Sequence, residues 1–243
     1  MISPAVPRFI SSGPAIAARS TLRRHPRVQR AVVRVLSLHR RGDAYEHSFR
    51  TAMLACIRPG DCVWDVGANV GFYSELFAMA VGPAGKVISF EPSHACVRAL
   101  EERLRERAAG VPWEVIPVAL SDDDGETWLS VASGDTAPDN HLASQREPGA
   151  VRVRTERGDA VVAAGHAAPE VIKIDVEGFE GEVLDGMGSV LDRPSLRAVC
   201  VEVHFGTLNA RGKPSEPARI VRLLQAHTFA VKWIDRSHFV AQR

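Results

Sequence analysis

The chain has only four cysteines in 243 residues, Cys56, Cys62, Cys96 and Cys200, and no C-x-x-C pair among them. This spacing argues against a zinc centre or a disulfide framework and points to a reducing, cytoplasmic compartment. No run approaches the roughly 18 apolar residues of a membrane span. A short basic region followed by an apolar stretch, the mark of a secretory signal, is also missing from the first residues. No internal repeat is visible. Most unusually, residues 1–42 contain nine Arg and neither Asp nor Glu.

That basic leader hides an opposite bias in the body. The remaining 201 residues hold 21 basic and 29 acidic side chains, a net −8. An acidic body is a poor general nucleic-acid binder. The leader reads as a basic amphipathic helix interrupted near Pro26. Three readings of it stay open: a helix packed on the main domain, a peripheral contact with anionic membrane lipid, or a transit peptide. With 45% hydrophobic and 24% charged residues, the composition is that of an ordinary globular protein.

Beyond residue 42, strand and helix patterns alternate. "DCVWDVG", "KVISFEP", "WEVIPVAL", "VIKIDVEG" and "LRAVCVEVH" read as five strands. Helices are expected from Phe72, after Ser93 as N-cap, over about 179–191, and over "PARIVRLLQAH", with a loop at 206–217. "TWLSV" and "VRVRT" read as a hairpin or an insertion at about 126–158, and "FAVKW" and "HFVAQ" as a closing antiparallel hairpin. The expectation is one α/β domain over 43–243 with a doubly wound, mainly parallel sheet.

"DVGANVG", Asp65 to Gly71, falls at the carboxyl end of the first strand, where such sheets bind ligands. Gly67 and Gly71 allow close backbone approach, and Glu91, closing the second strand, is placed to accept hydrogen bonds from ribose hydroxyls. A dinucleotide fingerprint wants G-x-G-x-x-G, but Asn69 and Phe72 occupy the second and third glycine positions. Asp65 suits a ligand with a positive group, such as the ammonium of S-adenosylmethionine. An NAD-dependent oxidoreductase and a non-catalytic nucleotide-binding module remain the alternatives.

"DVGANVGFYS", "SFEPS", "VALSDDDG" and "KIDVEGFEGEVLDG", in this order and spacing, resemble FkbM-type methyltransferases over residues 45–205. The resemblance implies a seven-stranded class I methyltransferase fold, S-adenosylmethionine as donor and a hydroxyl acceptor, on a sugar, glycolipid or secondary metabolite. By position, it implies that Asp65, Gly67, Asn69 and Gly71 form the methionine-side loop, with Tyr73 and Ser74 nearby. It also implies Glu91 at the ribose, and Ser121 and Asp122 beside the adenine.

Charged residues in two apolar strands complete the pattern. Lys173, Asp175 and Glu177 alternate with apolar residues in the fourth strand, and Glu202 and His204 do so in the fifth. Buried carboxylates are costly unless paired or bound, so their convergence signals a site. Asp175, Glu177 and His204 are the candidate catalytic residues, with His204 the candidate base. The same set could instead hold a divalent cation that acidifies the acceptor hydroxyl, and the sequence does not separate the two.

Overall fold

The computed structural model describes residues 47–130, 141–143 and 149–243, of which Ser48–Arg243 form one compact unit. The basic leader and most of the polar stretch 132–150 lie outside the described residues. In chain order the strands are β1 (Cys62–Val66), β2 (Lys86–Phe90), β3 (Trp113–Ile116), β4 (Ala119–Leu120), β5 (Gly125–Ser130) and β6 (His141–Ala143). They continue with β7 (Val151–Glu156), β8 (Val171–Ile174), β9 (Ala198–Glu202), β10 (Ala230–Trp233) and β11 (His238–Gln242).

The main sheet has the order β10-β11-β9-β8-β1-β2-β3, parallel except for the pairings of β11 with β9 and β10. This is the class I methyltransferase fold, with its antiparallel carboxyl-terminal hairpin. Both faces are apolar because helices cover both. Val63, Val87 and Val171 point to one face with Phe77, Leu100 and Leu104, while Trp64, Ile88 and Ile172 point to the other with Leu184 and Val190. The period of two therefore assigns alternate residues of each strand to two separate cores.

β8 lies between β1 and β9 and is buried along its whole length, including Lys173. It is central, not an edge. It ends at Ile174, so Asp175 and Glu177 project from the turn beyond, with Glu177 at φ +54° and Gly178 at +96°. His204 likewise lies past the end of β9. The alternation that the sequence suggests does not extend to these groups; the turns aim them.

Three element boundaries differ from the sequence expectation. "WEVIPVAL" is not one strand: β3 stops before Pro117, which has no N–H for the ladder, and β4 joins β7 in a second sheet of order β4-β7-β5-β6. The helix expected over 179–191 is two, Glu180–Asp185 and Gly188–Leu191. Between them Gly186 touches the backbone of Ser121 so closely that a Cβ would overlap it. The stretch 206–217, expected as loop, contains most of the helix Phe205–Ala210, with His204 at its N-cap position. A helix over Gly158–Ala163 falls where the sequence pattern assigns none.

Candidate active site

A pocket opens at the carboxyl edge of the main sheet. Val66, Gly67, Asn69, Glu91 and Cys96 line one side, and Asp175, Val176 and Glu177 close one end. The turn after β1 is shaped by Gly67 at φ +75°, a conformation glycine adopts without strain. A Cβ at Gly67 would overlap the carbonyl oxygen of Asp175, and one at Gly71 would overlap Leu100. Both glycines are therefore required by close packing within the protein, of the turn on Asp175 and of the helix start on Leu100.

Glu91 is buried, and its two oxygens accept backbone N–H groups, from Asn69 at 2.9 Å and from Ser93 at 2.8 Å. Burial raises its pKa, and those two bonds oppose the shift. Each oxygen keeps a further lone pair for a ligand hydroxyl.

Asp65 does not line the pocket. It is fully buried beneath the glycine turn, where Ser74 Oγ donates to it at 2.6 Å and Lys173 Nζ lies 3.1 Å away. The same ammonium donates to the carbonyl of Gly67 at 3.0 Å and sits 3.3 Å from Asp175. Burial would lower the pKa of Lys173, but Asp65 and Asp175 override it and hold the group well above the ordinary lysine range. Lys173 thus ties the floor of the glycine turn to the acidic end. Tyr73 packs 5.3 Å from this ammonium, in cation–π range.

Ser121 and Asp122 are bonded to each other at 3.1 Å and lie just past the lining residues Val118, Ala119 and Leu120.

At the acidic end the side chains converge on one imidazole. His204 Nε2 lies 3.2 Å from Glu177, 3.7 Å from Asp175 and 3.9 Å from Glu202. Its Nδ1 is 2.8 Å from Glu180, which is wholly buried and also accepts the N–H of Gly178. Burial alone would lower the pKa of His204, but the Glu180 bond and the neighbouring carboxyls lift it to about 9. Burial pushes Glu177 up to about 7; the imidazolium works against this, while Asp175 and Glu202 add to it. Glu202 also meets buried His238 at 3.2 Å, which Asp235 holds from the other side at 2.9 Å. One ligand atom each from Asp175, Glu177 and His204 lies within 4.8 Å of the others, a spacing compatible with a hard cation.

The Methyltransferase FkbM domain model matches residues 65–231. The chain belongs to the FkbM methyltransferase family. Among curated relatives it is 35% identical over 155 residues to the hexuronic acid methyltransferase AglP of Haloferax volcanii, covering 60% of this chain and 57% of that protein. It is 32% identical over 206 residues to the 31-O-demethyl-FK506 methyltransferase FkbM of Streptomyces tacrolimicus, covering 72% of this chain and 75% of that one. A solved structure of a candidate rRNA methylase from Clostridium thermocellum superposes with a TM-score of 0.52 at 9% identity, over 79% of this chain and 92% of that one; the likeness is one of fold. The chain therefore carries an S-adenosylmethionine-dependent methyltransferase domain.

Within this FkbM domain the sequence reading misses two features. Leu129 of β5 and Leu142 of β6 wall the pocket from the second sheet. Their only trace in the sequence is a pair of ordinary leucines flanking a polar stretch. Glu180 is the other. In "EGFEGE" it looks like any acidic residue in the first turn of a helix, and only its complete burial against His204 sets it apart.

Proposed function

We propose that this protein transfers a methyl group from S-adenosylmethionine to a hydroxyl of a sugar or another small hydroxylated metabolite. The observation that carries the reading is the shared pocket: Asp175 and Glu177 close the cavity that Gly67, Asn69 and Glu91 line. When bound, S-adenosylmethionine supplies a methyl group on a sulfonium leaving group. The protein then needs to align an oxygen with that methyl and remove its proton. Glu91 suits the ribose, and the glycine turn the methionine end.

The proton acceptor we assign is Glu177 rather than His204. A pKa lifted to about 9 leaves His204 protonated at neutral pH, whereas Glu177, near 7, is poised to accept. His204 then acts as a fixed imidazolium. It holds Asp175 and Glu177 toward the pocket and neutralises part of their charge, while Glu180 fixes its orientation. Asp175, linked to Lys173, positions the acceptor hydroxyl. The acidic set would equally hold a divalent cation, which would acidify the hydroxyl directly. Activity lost with chelator and restored by magnesium would favour that second arrangement.

In the same reading, residues 43–243 form one catalytic domain with an insertion at about 126–158, and residues 1–42 a basic extension. Among the described residues no helix is long and apolar enough to cross a membrane. Four free, buried thiols support a cytoplasmic setting. Calorimetric titration with S-adenosylhomocysteine and with NAD tests the core of the proposal. Binding of the first and not the second is expected; the reverse would replace the methyltransferase reading with an oxidoreductase one.

A further inference from the structure

Two aromatic rings stand exposed beside the acidic cluster. Phe205 and Trp233 keep 42% and 40% of their surface in water, although most large apolar side chains among the described residues are buried. The rings are in contact, with centroids 6.1 Å apart and planes tilted by 36°. Phe205 directly follows His204. Trp233 pairs across the hairpin with Phe239, next to His238, which itself pairs with Glu202. Both rings therefore sit at the carboxyl edge of the sheet, the edge at which Glu177 also lies.

The pair is held in place. Trp233 packs edge-on at 5.1 Å against the buried ring of Phe239, and Phe205 opens a helix whose first turn is bonded to the carbonyl of His204. Exposed aromatic surface of this kind marks a binding site when it adjoins a polar one. The neighbouring groups define the ligand. Carboxyl oxygens accept hydrogen bonds, so Asp175, Glu177 and Glu202 favour a partner rich in hydroxyl donors. With three carboxyls within 4 Å of one imidazole nitrogen, a ligand carboxylate is disfavoured at that end. A flat ring could stack on only one of two planes tilted by 36°. A puckered sugar ring can lay a C–H face on both and turn its hydroxyls toward the carboxyls.

We propose that Phe205 and Trp233 form the platform for a neutral pyranose ring of the acceptor. This rests on the methyltransferase reading above and adds the ring type and the residues that seat it. The test is saturation-transfer NMR on the full chain, with S-adenosylhomocysteine present and methyl β-D-glucopyranoside or methyl β-D-glucuronopyranoside as probe. The glucoside should bind, with saturation strongest on the C–H protons of one ring face. Phe205→Ala and Trp233→Ala should each weaken it by about tenfold, the scale of one stacked ring. Trp233→Phe should recover most of the loss, and calorimetric affinity for S-adenosylhomocysteine should stay unchanged in all three. If the alanine variants bind the glucoside as wild type does, the platform is wrong. Tighter binding of the glucuronoside would overturn the neutral ring. If neither pyranoside binds wild type while S-adenosylhomocysteine does, the platform falls and the methyltransferase reading stands. If S-adenosylhomocysteine does not bind either, both fall.

Discussion

Glu91 and Glu177 are the same residue type at the same edge of one sheet, and both line one pocket, yet their surroundings are opposite. Glu91 has a backbone N–H on each oxygen and no ion-pair partner within 4 Å among the described residues. Glu177 stands on a left-handed turn, facing an imidazole that three other carboxyls also approach. Burial raises the pKa of both; backbone bonds oppose the rise at Glu91, whereas at Glu177 the imidazole opposes it and the neighbouring carboxyls add to it. The first environment anchors both oxygens of a carboxyl to backbone N–H groups. The second crowds a carboxyl against an imidazole and lifts its pKa to about 7.

Lys173 joins the two regions, so the largest effect should come from removing it. Lys173→Met leaves Asp65 buried without a counter-charge and should cost about 3–5 kcal/mol of stability, read as a lower urea midpoint. A variant as stable as wild type would show that the two regions are independent.

Next comes Glu177→Gln, which keeps the shape and removes the proton acceptor. Turnover should fall by roughly 10²-fold with affinity for S-adenosylhomocysteine preserved. The wild-type rate should rise with pH through about 7, as Glu177 loses its proton, and fall through about 9, as His204 loses its charge. A rate that keeps rising past 9 would return the role of base to His204.

A smaller loss is expected from Glu91→Ala: about 1–3 kcal/mol of cofactor affinity by calorimetry, with the pH profile unmoved. A shifted profile would mean that the two glutamates are coupled. The smallest effect should follow deletion of residues 1–40. Cofactor affinity should persist, while any salt-sensitive binding to anionic vesicles disappears.

Much of this was legible in the sequence because it depends on local chemistry. β-branched runs between Gly and Pro give the sheet. "DVGANVG" gives the turn, and the acidic residue after "KVISF" gives Glu91. Even the depth of Lys173 shows as a lysine inside a strand too apolar to be an edge. What did not show depends on meetings across the chain. Glu180 reaches His204 over 24 positions, and Leu129 and Leu142 reach the pocket only because Pro117 diverts the chain into a second sheet. The raised pKa of His204 was also hidden, since it takes Glu180, Glu177 and Asp175 together to lift it.

The missing side chain at Gly67 has a kinetic consequence. The glycine turn after β1, the proposed donor site, and the turn bearing Asp175 touch backbone to backbone there, with no room for even a methyl group between them. Neither can shift without displacing the other, so filling the first should set the shape of the second. Substrates should then enter in a compulsory order, donor before acceptor, and the spent thioether should leave last. Product inhibition by S-adenosylhomocysteine should accordingly be competitive with the donor and noncompetitive with the acceptor.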